Sequence, residues 1–285
     1  MNGSRSFSNA RISGKALTVF FLLVIGVSAG VEAAYCMGGP EWLIFLLMWV
    51  PALSAFIAGA VSLSEGGGKP GLRDLLAMTG IRRCRMRFIL LGMALPFAYL
   101  FIPYRIYWTM HPECYAYSGT PWLQVIARVG LYTLISVMVS LLSAAGEEIG
   151  WRGFMLPALM QRMNAAKAAA AVCLFWSLWH FPLLVWGGYM EGTPLLYRLG
   201  AFLLCIFPVG IMAAVVTVCS GSVWPAAFLH AAHNAYDQAV FGPITGGADR
   251  MFYVSETGIL TILCAWLAAA VMCWLYRGQL SGRCR

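Results

Sequence analysis

Charged side chains are scarce in this chain. They make up 11% of its 285 residues, whereas hydrophobic residues make up 61%, and the mean hydropathy is +0.76. A soluble domain carries about a quarter charged residues, so this composition excludes the ordinary soluble class. Apolar runs are plentiful instead, and eight can be counted, at residues 16–34, 42–63, 88–103, 123–145, 168–187, 199–219, 223–241 and 257–276. Most of them approach the roughly 20 residues that cross a bilayer core, and the third is short. The sequence therefore predicts an all-α polytopic membrane protein, a bundle of about eight transmembrane helices.

A cysteine pattern is also missing. The nine cysteines are scattered and include no CxxC pair, which gives no indication of a disulfide framework or a thiolate metal site. The chain shows no internal repeat, low-complexity tract or heptad run. We therefore expect one membrane domain over residues 1–285, with its motif-bearing core at about residues 123–240.

Basic residues are in excess, with 19 Lys and Arg against 11 Asp and Glu and a net charge of +8. Their distribution argues against nucleic-acid binding, because fifteen of them fall in alternate connections at residues 5–15, 69–87, 152–167 and 277–285. This is the positive-inside bias of a multi-pass protein. It predicts an integral protein of the cell (plasma) membrane with both termini in the cytoplasm. An alternative for the first span is a cleavable signal sequence, since basic residues precede an apolar stretch that small residues follow.

Three of the apolar runs contain polar groups that lipid does not solvate. A buried charge or an unpaired imidazole there is costly unless a partner satisfies it, so such groups usually mark function. Glu147 and Glu148 end the first of these runs. Glu148 stands four residues before Arg152, which favours a helical ion pair, while Glu147 lies about 100° further round the helix. We therefore expect Glu147 to face a cavity; the alternative is a pair of acids at the membrane boundary.

The other two runs carry histidines. Trp176 and His180 are four residues apart, so the indole can pack over the imidazole; the alternative is a core histidine that donates to a backbone carbonyl. The last run has a polar stripe at i, i+3, i+4 and i+7, on one face of a helix, which consists of His230, His233, Asn234 and Asp237. Such a stripe faces the bundle interior or water, as part of a site or as an interhelical hydrogen-bond seam.

In this order the three segments resemble the CPBP family of intramembrane proteases, the Abi or Rce1-type relatives of the CAAX prenyl protease. The shared pattern is Glu-Glu-x-x-x-Arg, an aromatic residue four before a histidine, and His-x-x-x-Asn, represented here by Glu147, Glu148, Arg152, Trp176, His180, His230 and Asn234. The resemblance covers roughly residues 123–240. It implies an intramembrane endopeptidase whose partners are the lipid bilayer and a membrane-anchored or lipidated protein or peptide substrate, with no role for nucleic acid.

The resemblance also implies a role for four motif residues in peptide hydrolysis. Glu147 would be the general base that activates a water, and His180 would help to hold that water. His230 and Asn234 would form the oxyanion hole for the tetrahedral intermediate.

The remaining residues would support these four. Glu148 and Arg152 match positions that structure the motif. Trp176 stands where the family more often has Phe, which leaves the site in place but alters the shape of its pocket. His233 and Asp237 lie outside the signature, and we assign them a supporting role.

No cofactor is favoured by the sequence. The HExxH spacing of soluble zinc proteases is absent, and we expect a metal-free glutamate mechanism; if zinc is bound, its ligands would be Glu147, His180 and His230. Two other functions stay open, namely a non-catalytic membrane scaffold or immunity-type relative, and a small-solute transporter that uses the same polar stripe.

Depth along the helices gives one further expectation. By the charge bias Glu147 ends its span on the cytoplasmic side, whereas His180 lies about 12 residues, or ~18 Å, into its own span. The two side chains can meet if the fourth helix continues past Glu147 and the fifth begins nearer Ala171. We expect the active site inside the bundle, in a cavity that opens to the cytoplasmic side.

Overall fold

The computed structural model describes residues 11–67 and 70–280, and most of them are helical. Within those ranges, β structure is limited to an isolated bridge between Tyr115 and Thr245. Six helices of the described chain have the length and apolar composition to cross a membrane. The predicted all-α polytopic fold is therefore confirmed.

Thirteen α-helices follow one another along the described part of the chain. They are α1 (Gly14–Cys36), α2 (Trp42–Glu65), α3 (Leu72–Met78), α4 (Met86–Met110), α5 (Trp122–Glu148), α6 (Leu156–Met160), α7 (Ala165–Trp179), α8 (Phe181–Trp186), α9 (Leu195–Ser220), α10 (Trp224–Asn234), α11 (Arg250–Tyr253), α12 (Ile259–Leu275) and α13 (Arg277–Leu280). Two π-helical segments accompany them. The first, Ile149–Met155, joins α5 to α6, and the second, Ala235–Phe241, follows α10.

Each of the eight predicted apolar runs holds helix. The six of spanning length are α1, α2, α4 and α9, the continuous helix Trp122–Met160 that includes α5 and α6, and Ala165–Trp186, which includes α7 and α8. The other two runs correspond to α10 with the second π segment and to α12, both of which are shorter.

The two ends of the bundle differ in their connections. One end, which we call the basic end, comprises the start of α1, the connections 70–85 and 161–164, and the turn 221–223. Here the Arg162 guanidinium donates to the Ile12 carbonyl oxygen at 2.7 Å, and the Ser222 hydroxyl donates to the Arg82 carbonyl oxygen at 2.7 Å. The opposite end, which we call the mouth end, comprises the connections 37–41, 111–121, 187–194 and 242–258.

Glycines bring α5 and the first π segment against α2. A Cβ at Gly146 would lie 2.6 Å from the Met48 carbonyl oxygen, and a Cβ at Gly150 would lie 2.7 Å from the carbonyl carbon of Pro51. Their i, i+4 spacing is the small-xxx-small pattern by which membrane helices approach closely. This contact fixes the depth of the two glutamates that lie between the glycines.

The helix continues well beyond Glu147, to Met160, as the depth argument predicted. The expected start of the fifth span nearer Ala171 was wrong, because α7 begins at Ala165. Asn164 caps that helix, and its side-chain oxygen accepts from the Lys167 amide at 2.9 Å. Asparagine at this position satisfies a backbone donor that the first turn leaves unpaired.

Replacement of Gly150 by alanine should destabilise the protein. The added methyl group meets the backbone of Pro51, and such overpacking typically costs about 1–3 kcal/mol. The midpoint of thermal unfolding in detergent, followed by tryptophan fluorescence, measures the loss.

Gly130→Ala is the matched control, since Gly130 lies exposed on α5 and has no heavy atom within 4 Å of the added Cβ. Alanine there gains helix propensity, up to about 1 kcal/mol. Equal midpoints for the two variants would show that close approach to α2 is unimportant.

Candidate active site

Glu147 lies in the middle of the bundle with 1% of its surface exposed. Its Oε2 accepts two indole N–H hydrogen bonds, one from Trp176 at 2.6 Å and one from Trp151 at 3.1 Å. Trp151 is one helical turn further along the chain, whereas Trp176 comes from α7. Two donors on one oxygen stabilise the ionised carboxylate and leave Oε1 as the oxygen available for chemistry.

Glu148 is fully buried and connects three helical segments. Its Oε1 accepts from Arg152 Nη1 at 2.9 Å and from His230 Nδ1 at 3.0 Å. The Arg152 guanidinium is also fully buried and lies 4.3 Å from the centroid of the Trp176 ring, a cation–π contact. The predicted ion pair between Glu148 and Arg152 is confirmed, and it extends to α7 and α10.

His180 ends α7 among aromatic rings. Its Nδ1 lies 2.8 Å from the Trp176 carbonyl oxygen. A carbonyl oxygen only accepts, so Nδ1 carries a proton, and in the neutral ring Nε2 is the nitrogen that accepts. The rings of Trp179 and Phe202 lie 5.0 and 5.3 Å from the imidazole, centroid to centroid. His180 therefore donates to the backbone as a core histidine does, and it also lines the cavity described below.

The polar stripe of α10 divides among different partners. Within the described ranges, the Asn234 side chain makes no hydrogen bond, so its amide is available to the cavity that it lines. His233 has both ring nitrogens engaged, Nδ1 with the Tyr99 hydroxyl at 2.8 Å and Nε2 with Glu256 Oε1 at 3.1 Å. His233 therefore holds helices together, while Asn234 is free to bind.

Asp237 does not project with the rest of the stripe. Its carboxylate accepts from the Tyr104 hydroxyl at 2.8 Å and the Ser255 hydroxyl at 2.7 Å, and it lines a second cavity. The expectation of a single four-residue face was wrong here because the helix changes to π geometry at Ala235. Hydrogen bonds from i to i+5 widen the turn and rotate the later residues.

One cavity of about 300 Å³ brings the candidate residues together. Its lining includes six of the residues singled out from the sequence, namely Glu147, Trp176, His180, His230, His233 and Asn234. Glu148 and Arg152 lie outside this lining and reach it through Trp176 and His230. The remaining wall is largely apolar and aromatic, with Leu47, Trp179 and Phe202 among its members.

The cavity opens at the mouth end of the bundle. Its exposed lining residues are Glu41, Gly188 and Gln238, all of which lie at that end. Towards the basic end the bundle is filled, because Phe20 packs against Trp151 and Phe154 with ring centroids 6.1 and 5.1 Å apart. The cavity therefore opens at the end opposite the start of α1, whereas the sequence predicted an opening to the cytoplasmic side together with a cytoplasmic N-terminus.

Sequence reasoning missed a second buried carboxylate in the cavity wall, that of Glu256. It accepts from His233 Nε2, from the Tyr189 hydroxyl at 2.8 Å and from the Gln238 amide at 3.1 Å. These bonds tie the connection after α8 to α10, and so join two walls of the cavity. Its signal in the sequence was an acid placed just before the last apolar run. The role of Trp151 had a simpler signal, since it stands four residues after Glu147.

The candidate zinc ligands do not fit a metal centre in this arrangement. Among residues 11–67 and 70–280, no three His, Cys, Asp or Glu side chains form a group that could hold a metal ion. Glu147, His180 and His230 line one cavity, but they do not form such a group. Glu147 Oε2 is already engaged by two indole donors.

Fold and site define a class: a polytopic membrane protein that buries carboxylate, imidazole and amide groups around one cavity inside its helix bundle. Residues 129–236 match the family model described as type II CAAX prenyl endopeptidase, Rce1-like. That segment contains every motif residue from Glu147 to Asn234. The resemblance that the sequence motifs indicated is thus supported over residues 129–236, which make up less than half of the chain.

A curated relative gives the same indication. The chain is 40% identical over 76 residues to CAAX prenyl protease 2 from Methanococcus maripaludis, a match that covers 25% of this chain. The chain spans 28% of the length of that relative. The similarity is therefore confined to part of each protein.

Replacement of Arg152 by methionine should destabilise the protein by about 3–5 kcal/mol, because it leaves a buried carboxylate without its cation. The double variant Glu148→Gln/Arg152→Met should recover much of the loss, since no uncompensated charge remains and glutamine still accepts from His230. Thermal unfolding of both variants in detergent measures the difference.

Glu113→Gln provides the comparison at the surface. Glu113 pairs with His111 at 3.5 Å, with 72% of its side chain exposed, and such pairs contribute about 0–1 kcal/mol. If Arg152→Met unfolds no earlier than Glu113→Gln, the charge of Glu148 is compensated in another way.

Proposed function

We propose that this protein is an intramembrane peptidase that hydrolyses a peptide bond of a membrane-anchored polypeptide with a water activated by Glu147. One observation carries the proposal: the Glu147 carboxylate is held through one oxygen and lines a cavity together with His180, His230 and the unpaired amide of Asn234. The Rce1-like family match and the relative named as a CAAX prenyl protease support the reaction class.

Glu147 has the surroundings that a general base requires. The two indole donors fix the orientation of the carboxylate, so Oε1 stays directed at the position of a water. Neither indole carries a formal charge, so the full negative charge of Glu147 remains available to take a proton. Glu148 is placed differently, because it lies outside the cavity lining and is paired with the Arg152 cation.

His230 and Asn234 supply the donors for the developing oxyanion. The Asn234 amide donates directly. His230 gives Nδ1 to Glu148, so its Nε2 donates when the ring is an imidazolium. That protonation brings the net charge of Glu147, Glu148, Arg152 and His230 to zero, which favours it inside an apolar bundle. Preorganised donors of this kind stabilise charge that develops in the transition state.

His180 positions the attacking water. Its Nε2 lone pair accepts one hydrogen bond from the water, and Glu147 Oε1 accepts the other. As the water oxygen bonds to the carbonyl carbon, its proton passes to Glu147 and the carbonyl oxygen becomes the oxyanion. Collapse of the intermediate breaks the C–N bond, and Glu147 returns the proton to the departing amine nitrogen.

Glu147→Gln should lower kcat by about 10²–10⁴-fold, the usual contribution of a general base. Asn234→Ala should lower it by about 10²–10³-fold through loss of one oxyanion donor. Cleavage of a panel of membrane-anchored peptides, including one with a prenylated C-terminus, by purified protein in lipid measures both effects.

Glu113→Gln is the control, because it removes an exposed carboxylate that is not part of the cavity lining. Activity that is equal in the Glu147→Gln and Glu113→Gln variants would overturn the base assignment. Cleavage of the unmodified peptides but not of the prenylated one would leave the reaction in place and remove prenylation from the substrate class.

We further propose that hydrolysis proceeds without a metal ion. Purified active protein should hold zinc well below one equivalent by elemental mass spectrometry, and a chelator should leave its rate unchanged. Stoichiometric zinc that is lost in the His180→Ala variant together with activity would overturn the metal-free mechanism.

A further inference from the structure

The described basic residues are unequally divided between the two ends of the bundle. Those at the basic end and in the adjoining first turns are Arg11, Lys15, Arg73, Arg82, Arg83, Arg85, Arg87, Arg162, Lys167 and Arg277. Those in the half towards the mouth end are Arg105, Arg128, Arg198 and Arg250. Arg152 belongs to neither group, because it is buried against Glu148. The excess of Lys and Arg in short connections sets the orientation of a multi-pass protein, and it directs the basic end to the cytoplasm.

The cavity extends from its buried site towards the opposite end. Glu147 and His230 lie at its buried base, with 1% and 4% of their surfaces exposed. Its exposed residues, Glu41, Gly188 and Gln238, come from the connections of the mouth end and the adjacent π segment. Its lining contains no residue from the connections of the basic end. Water and substrate therefore reach Glu147 from the mouth end.

The bundle between the site and the basic end is closed by packing. Trp151 and Phe154 are fully buried one and two turns beyond Glu147, and they pack edge-on and tilted against Phe20 of α1. Arg162, at the end of this helix, donates to the Ala158 carbonyl oxygen at 2.6 Å and to the Ile12 carbonyl oxygen at 2.7 Å. A substrate segment at the basic end is therefore separated from Glu147 by packed side chains.

From the charge asymmetry and the position of the mouth we infer that the site is reached from the extracytoplasmic side of the membrane. This inference rests on the proposed function where it concerns the substrate: the segment that is cut belongs to a membrane-anchored polypeptide and lies on, or is exported to, that side. A lipid anchor in the outer leaflet, or a transmembrane helix of the substrate, holds the segment at the depth of the mouth. A cytoplasmic lipidated protein is then excluded as a substrate.

The two ends of α2 provide a matched pair of probes. Glu41 precedes the helix at the mouth and Glu65 ends it at the other side, and both are exposed glutamates. Glu41→Cys and Glu65→Cys are each treated with a membrane-impermeant thiol reagent in right-side-out and in inverted membrane vesicles. Peptide mass spectrometry assigns the modification to each position separately from the native cysteines, of which Cys84 at the basic end is an internal reference.

The cysteine of the Glu41→Cys variant should be modified in right-side-out vesicles and unmodified in inverted ones. The cysteine of the Glu65→Cys variant and the native Cys84 should be modified in inverted vesicles and unmodified in right-side-out ones. The opposite pattern, equal modification from both sides, or no modification of the Glu41→Cys variant in either preparation would each overturn the inference. Peptidase activity is measured on the same samples. If the labelling is as expected but the wild-type protein cleaves no peptide, the proposed peptidase function is rejected and the inferred orientation stands. If the protein is active but the labelling is reversed, only the inferred orientation is rejected.

Discussion

Glu148 places a negative charge where water does not reach, and the arrangement of several helices follows from how that charge is compensated. Arg152 supplies the cation from one turn away, and His230 supplies a second donor from α10. The guanidinium also lies on the Trp176 ring, whose indole N–H holds Glu147. The compensated carboxylate thus connects, through Arg152 and Trp176, to the carboxylate that we assign to chemistry.

Such a buried ion pair is poor evidence for stability, because desolvation offsets most of its attraction. Its role here is to fix how the surrounding helices are placed relative to one another. A Cβ at Gly210 would lie 3.0 Å from Arg152 Nη2, so α9 also packs directly against the guanidinium. Helices α5, α7, α9 and α10 all meet around this one pair. The Glu147 carboxylate beside it is held by neutral indoles instead, and two adjacent residues of the same type acquire different chemistry.

Local spacing in the sequence was sufficient for part of this site. Four-residue spacing predicted the Glu148–Arg152 pair, and apolar runs interrupted by costly polar groups indicated which segments converge. These inferences succeeded because they depend on a single helix turn. The Trp176 donor to Glu147 and the bonds of Glu256 were missed because they join elements far apart in the sequence, and no local pattern encodes which partner a buried carboxylate will find.

The change from α-helical to π-helical geometry at Ala235 could likewise not be predicted from the sequence. It displaced Asp237 from the expected stripe and separated its environment from that of Asn234. The depth of Glu147 within its helix was misjudged for a related reason. Glu147 was placed at the end of a span, whereas the continuous helix to Met160 puts it near the middle. Hydropathy falls at the two glutamates, but the helix does not end there, because tertiary packing of Gly146 and Gly150 carries it on.

The first π segment has a consequence for how this chain can vary in evolution. Its seven residues lie between the paired glutamates and α6, and its glycines at 150 and 153 meet the backbone of α2 and of Thr79. Removing one residue would restore ordinary helix but turn everything beyond it by about 100°, so that these glycines would no longer face their partners. Length in this stretch is therefore more strictly constrained than composition, and homologous chains should differ here by substitution and not by insertion or deletion.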